Sequence, residues 1–168
     1  IGVWKDCIIF LINSFIKLNN KRNNKQRMMR SLSNIDIFKS IEEKLNNEFI
    51  GQNNFFSKLC NYFREKISND EKGILLLVGS KDTFKKASVR FIFQELKENK
   101  IIENGEVEDI DLSEYSFKLG YNAFLTDLYE KLNNDSKCII FKNIDMASEE
   151  ILALLSKIRP NSCLPLKS

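Results

Sequence analysis

Gly73-Ile74-Leu75-Leu76-Leu77-Val78 is a short, unbroken apolar run, and the residues after it, Gly79-Ser80-Lys81-Asp82-Thr83-Phe84-Lys85-Lys86, are mostly polar. A continuous apolar run of this length suits a strand covered on both faces, as strands of a parallel sheet are. From about Lys85 to Glu98, Val89, Phe91, Ile92, Phe93 and Leu96 mark a helix. The remaining chain repeats this alternation. A second strand is expected at Glu106 to Leu112, a helix at Tyr121 to Leu132, and a third strand at Cys138 to Phe141. The last helix spans about Ser148 to Ile158, stopped before Pro160. Ser148 suits its N-cap, with Glu149 and Glu150 in the first turn that favours acids. Upstream, Ile37, Phe38, Ile41 and Leu45 predict one helix, broken at Asn46-Asn47. Phe55, Phe56, Leu59, Cys60, Phe63 and Ile67 predict a second over about 52–67, with an aromatic stripe that reads as core. The order ααβαβαβα implies an α/β chain: a parallel sheet with right-handed crossovers.

The loop after the first strand sits where a phosphate-binding loop, G-x-x-x-x-G-K-[ST], would sit. Gly79 and Lys85 keep its spacing, but Phe84 replaces the second glycine and Lys86 replaces the Ser/Thr. Such a loop wraps phosphate oxygens with successive backbone N–H groups, in shapes that glycine tolerates best. The hydroxyl would ligate Mg²⁺, and an ammonium in its place cannot.

Three further segments extend the match: Ile50-Gly51-Gln52, Ile110-Asp111-Leu112-Ser113-Glu114-Tyr115, and Leu125-Thr126-Asp127 leading to Cys138-Ile139-Ile140-Phe141-Lys142-Asn143-Ile144-Asp145. Over about residues 37–158 the chain resembles the large AAA+ subdomain of Clp-type unfoldases and disaggregases, and more distantly the torsins. The resemblance implies a three-layer αβα sheet of the P-loop NTPase kind, incomplete at its C-terminal end. It implies that Gly51 and Gln52 lie near an adenine, that Gly79 begins the phosphate loop and that Lys85 reaches the phosphates. It puts Lys142 and Asn143 where the family's Walker B strand carries an Asp for Mg²⁺ and a Glu that activates water. Asn143 cannot take a proton from water, and Lys142 opposes a divalent cation. Lys142 also has a plain structural reading, an ion pair with Asp111 or Asp145. Residues 116–122 lack the family's aromatic-Gly pore signature, and the ten residues after Ile158 leave no room for its sensor strand, arginine finger or lid.

The chain has 168 residues, 43% of them hydrophobic, which allows a core without staples. It has no His, so His-dependent triads and His-ligated metals are excluded. Its net charge of +3 is unevenly spread. Residues 1–35 carry seven basic residues against Asp6, and residues 36–168 carry 19 basic against 22 acidic, so a +6 arm leads into a −3 body. The expected organisation is an arm over 1–35, a domain over 36–160 and a tail over 161–168. The arm holds a short apolar run, Cys7 to Ile12, and a polar, Asn-rich linker over 19–34, helical or flexible. A membrane-surface role for the arm is the sharper reading, and docking on the domain the plainer one. The first residue, Ile1, suggests a fragment or a processed product. Cys7, Cys60, Cys138 and Cys163 form no C-x-x-C pair, and Cys60 and Cys138 read as small buried hydrophobes. The expected compartment is reducing, cytoplasmic or inside an organelle, and the protein is not expected to be secreted.

Together these features predict a catalytically inactive AAA+-like module in protein remodelling or quality control. It would have no catalytic residue and no metal, and would act through protein partners, other AAA+ subunits first, and not nucleic acid. Two alternatives stay open: a divergent or fragmentary Clp-type chaperone ATPase, and a metal-free binder of ATP or ADP through Lys85, Lys86 and Lys142.

Overall fold

The structure is a computed structural model that describes residues 8–12, 24–69, 73–77, 84–103, 106–133, 138–157 and 162–163. The elements, in chain order, are β1 (Ile8–Ile12), α1 (Asn24–Glu48), α2 (Asn53–Asn69), β2 (Gly73–Leu77), α3 (Lys85–Glu98) and β3 (Val107–Asp111). Then come α4 (Leu112–Glu114), which runs on through a π-helical turn at Tyr115–Leu119, α5 (Gly120–Asn133), β4 (Cys138–Lys142), a 3₁₀ turn at Ile144–Met146, α6 (Glu149–Lys157) and β5 (Ser162–Cys163). The α/β class is as expected, and α2, β2, α3, β3, α5, β4 and α6 lie close to their predicted spans.

Successive strand residues face opposite sides of a sheet, so β4 sorts its own side chains. Cys138 and Ile140 enter a core with Phe38, Ile41 and Leu45 of α1, the aromatic stripe of α2, and Val89, Ile92, Phe93 and Leu96 of α3. Ile139 and Phe141 enter a second core with Leu112, Phe124 and Leu128, and with Ile151 and Leu155 of α6. Helices therefore cover both faces, α1 to α3 on one and α4 to α6 on the other. Leu75 and Leu77 of β2 are buried in the first core. The stripe residues Phe55, Phe56, Leu59, Cys60, Phe63 and Ile67 are all buried. Ser148 caps α6, its Oγ accepting from Ile151 N at 3.3 Å.

The sheet departs from the expected all-parallel arrangement. Its order is β3-β4-β1-β2-β5. β3 pairs with β4, and β2 with β5, in parallel. The apolar run of the arm forms β1, antiparallel to both β2 and β4. It is thus the strand that joins the two parallel pairs. An apolar run without alternation fits a central strand as well as a docking helix, and local pattern alone does not separate them.

α1 departs as well. It begins at Asn24, passes through the expected boundary between residues 35 and 36, and runs over Asn46-Asn47 to Glu48. Lys, Gln, Arg and Met at 25–30 are good helix formers, and elongating a helix already anchored by Phe38, Ile41 and Leu45 is cheap. The chain turns at Gly51, whose φ of +91° suits glycine. In the expected tail, Ser162 and Cys163 form β5, which pairs with Leu75 and Leu76. Among the described residues, no helix is long and apolar enough to cross a membrane.

Candidate functional site

β2 and β4 both run against β1, so they run parallel to one another. The pairs Ile8↔Leu77 and Ile9↔Phe141 put their carboxyl ends at the same edge of the sheet. β3 ends there too, because Asp111 pairs with Lys142. Ligands of α/β sheets gather outside the carboxyl ends of strands. This is also the edge at which α3 begins, with Phe84, Lys85 and Lys86.

Strand parity decides what meets there. Val107 of β3 packs on the α1–α3 core, so Asp109 and Asp111 share its face. Lys142 shares the face of Cys138 and Ile140 for the same reason. On α3, Lys86 and Arg90 are one turn apart and point the same way. The result is a convergence of three cations on one carboxylate. Lys86 Nζ lies 2.5 Å from Asp109 Oδ2, Lys142 Nζ lies 3.3 Å from the same oxygen, and Arg90 Nη2 lies 2.7 Å from Oδ1. Arg90 Nη1 also donates to the Val107 carbonyl at 3.0 Å. On the opposite face of β3, Glu108 pairs with Lys131 of α5.

Asp109 is pushed up by burial, but Lys86, Arg90 and Lys142 outweigh that and hold its carboxyl below the ordinary value. Asp111 is also held low: burial raises it, but bonds from Ser113 and Asn143 and the nearby charge of Lys142 outweigh that. Both are therefore more acidic folded than unfolded. Their contribution to stability is present above the unfolded carboxylate pKa and is lost as the pH falls through the folded values.

Asn143, the residue at the expected water-activating position, donates from Nδ2 to Asp111 Oδ1 at 2.8 Å. It has a left-handed backbone, φ 56° and ψ 49°, which Asn tolerates better than most residues. The same Asp111 oxygen accepts from Ser113 N at 3.0 Å and Ser113 Oγ at 2.6 Å, which caps α4. Lys142 and Asn143 are thus each tied to a carboxylate of β3. Lys142 pairs with Asp109, not with the Asp111 or Asp145 expected, and Asp145 is exposed in the 3₁₀ turn.

The other predicted residues separate. Lys85 is buried at the start of α3, where its carbonyl accepts from Ser88 Oγ at 2.9 Å. Gly51 and Gln52 lie in the turn between α1 and α2. Phe49, just before that turn, stacks on Phe84 with ring centroids 5.0 Å apart. The turn and the start of α3 are therefore adjacent. Gly79 lies outside the described residues.

Phe84 itself is left-handed, with φ 55° and ψ 23°. The backbone shape that favours glycine is kept although the residue is not glycine. Such a shape costs a bulky L-residue about 1–2 kcal/mol. The stack on Phe49 offsets part of this cost, and Phe84 remains 46% exposed. Phe84→Gly should therefore move the unfolding free energy by no more than about 1 kcal/mol, against the 3–5 kcal/mol usual for removing a core aromatic ring. Urea denaturation checks it: a loss of core size would place the ring inside the fold.

Arg90 and Asp109 were not marked by any motif. Their signal was the run of acids in a strand expected to be buried, and a basic residue one helical turn after Lys86.

Beside the cluster, β3, α4 and α5 border an open pocket of about 520 Å³. It is lined by the carboxylates of Glu108, Asp109, Asp111, Glu114, Asp127 and Glu130, with Lys131 and Lys142. Tyr115 borders it and donates to Asp127 Oδ2 at 2.6 Å; burial and that bond push its phenol well above the ordinary value. Among the described residues no three of His, Cys, Asp and Glu are grouped as ligands for a metal ion. Burial pushes the Cys60 thiol up to about 12, with Glu42 adding to the effect, and pushes Cys138 higher still. Neither is a nucleophile near neutral pH.

Comparison with protein-family models, with curated proteins and with solved structures gave no match to this chain. The chemistry of the site is read from its own residues.

Proposed function

We propose that this chain is an AAA+-like module of the Clp type that does not hydrolyse ATP and acts through contacts with other proteins. The observation that carries this reading is the pairing of Lys142 with Asp109 and of Asn143 with Asp111. Hydrolysis in the family pattern needs a cation held at the first position and a proton acceptor at the second. Here the first side chain is a cation, and the second is an amide donating its hydrogen bond. A site without a base loses roughly 10²–10⁴-fold in rate on that account alone. Repulsion of Mg²⁺ adds to the loss.

The parallel pairing of β3 with β4 and the helices on both faces support a P-loop-like reading, as does the start of α3 at the carboxyl end of β2, although the antiparallel β1 departs from it. A module that keeps this frame without the chemistry has its surfaces left to offer, and AAA+ subunits are the partners that the frame suits. The test is phosphate release from ATP with Mg²⁺ by the purified chain beside its Lys85→Ala variant. The two rates should be equal and at background. Hydrolysis that Lys85→Ala abolishes would sink the reading.

A further inference from the structure

β1 precedes every other described element and yet is the middle strand of the sheet. Its neighbours β2 and β4 are level with one another: Ile9 is opposite Leu76 and Phe141, and Leu11 is opposite Ile74 and Ile139. Without β1 they leave a slot one strand wide between two apolar edges, which a folded molecule has to fill. Ile8-Ile9-Phe10-Leu11-Ile12 is apolar throughout. Nothing in its ladders distinguishes a strand of the same chain from the same strand of a second copy.

The connection to α1 leaves that choice open. β1 ends with Ile12 opposite Gly73 and Cys138, at the amino edge of β2 and β4. α1 begins at Asn24, so residues 13–23 join the two, and fully extended they span roughly 40 Å. The far end of α1 is at the carboxyl edge, where Phe49 stacks on Phe84, and α1 runs against α3, since Lys44 pairs with Glu95 at 2.6 Å. From Phe49 back to the buried Asn34 the helix rises about 22 Å, more than the roughly 17 Å of a five-residue strand. Residues 24–33 therefore carry α1 past the amino edge by about 15 Å. A second copy that faces this edge with its own amino edge receives the strand over a path no longer than the one back into the first sheet.

We propose that β1 is exchanged between two copies of this chain, each inserting Ile8–Ile12 between β2 and β4 of the other about a two-fold axis. The ladders are the same in the exchanged dimer and in the monomer, so concentration decides between them. A short linker holds its own strand at an effective concentration of ~1 mM, and the exchanged form overtakes the closed one near that value. Because β1 is central, its release requires both ladders to open, and a dimer once formed outlasts dilution. The exchange is independent of the reading of ATP hydrolysis, and either can fail alone.

The experiment uses the full chain carrying Ile12→Cys. Position 12 is opposite Cys138, and opposed residues of an antiparallel pair have Cα atoms about 4.5–5.5 Å apart, within the span of a disulfide. Equal amounts of nitrogen-14 and nitrogen-15 chains are unfolded together in reductant, refolded over a concentration series reaching ~1 mM, and oxidised. Size-exclusion chromatography with light scattering separates the species, and mass spectrometry of a digest reads the disulfide between positions 12 and 138. The dilute sample should be monomeric, with every linked peptide of one isotope. The concentrated sample should contain a dimer in which about half of the linked peptides join unlike isotopes, as random exchange requires. Three results would overturn the proposal: a chain that stays monomeric throughout the series, a dimer whose linked peptides are all of one isotope and which therefore forms through another surface, or no link between positions 12 and 138 in any species, which would remove β1 from the slot.

Discussion

Phe10→Pro should remove most of the protein's cooperative unfolding transition. Phe10 is the middle residue of β1 and is opposite Leu75 on one side and Ile140 on the other. Proline has no N–H for the ladder, and its ring does not fit within a central strand. A lost hydrogen bond, a carbonyl left unsatisfied and a distorted strand together cost at least about 3 kcal/mol. That is a large part of the 5–15 kcal/mol that holds a domain of this size. The effect is amplified by topology. β1 links β3-β4 to β2-β5, so its loss exposes two apolar strand edges at once. The check is urea denaturation followed by circular dichroism. A variant that unfolds like the wild type would mean that residues 8–12 are not in the sheet and that the apolar run belongs to a dispensable arm.

The second large effect is expected inside the first core. Phe63 is fully buried and meets Phe93 edge-on, with centroids 5.3 Å apart and rings at 88°. Tyr62 lies against it at 5.7 Å. Phe63→Ala removes a ring that joins α2 to α3 and leaves a cavity between helices that cannot close around it. The expected cost is about 3–5 kcal/mol, measured as a shift of the urea midpoint with little change in its slope. A cost under about 1 kcal/mol would contradict the packing of α2 on α3. The contrast with Phe84 is informative. Both are aromatic residues in or beside helices, but one is enclosed by its neighbours and the other is half-exposed on a strained backbone.

The elements legible in the sequence were those whose pattern is local. The apolar run of β2, the buried residues of β4 and the helical spacing in α2, α3 and α6 each report their own environment. What the pattern could not report was partnership. Ile8 to Ile12 was plainly apolar, but nothing in it said that it would enter the sheet between β2 and β4. Residues 24–34 were polar and without period, so the helix there follows from propensity and from the anchored half beyond it. β5 is two residues long and carries no pattern.

The site divides in the same way. Lys86, Lys142 and Asn143 were visible because they interrupt a motif. Asp109 was not, because its role comes from strand parity and from the approach of α3 to β3 across the sheet. In the sequence, the departures from the motif signal losses of metal and base. The geometry adds that Lys142 and Asn143 each have an acidic counterpart on β3, Asp109 and Asp111. An acidic strand beside a strand ending in Lys-Asn forms a consistent set, in which the altered residues hold the edge of the sheet together. A single exposed ion pair contributes about 0–1 kcal/mol. The cluster is thus a modest source of stability, and its stronger consequence is electrostatic.

The claim that these cations converge on Asp109 is most directly tested by a carbon-13 NMR titration of its side-chain carboxyl in the full chain. The titration midpoint should lie below the usual aspartate value and should rise when Lys142 is replaced by Met. A midpoint at or above the usual value, unmoved by Lys142→Met, would contradict the arrangement and the reading of the site built on it.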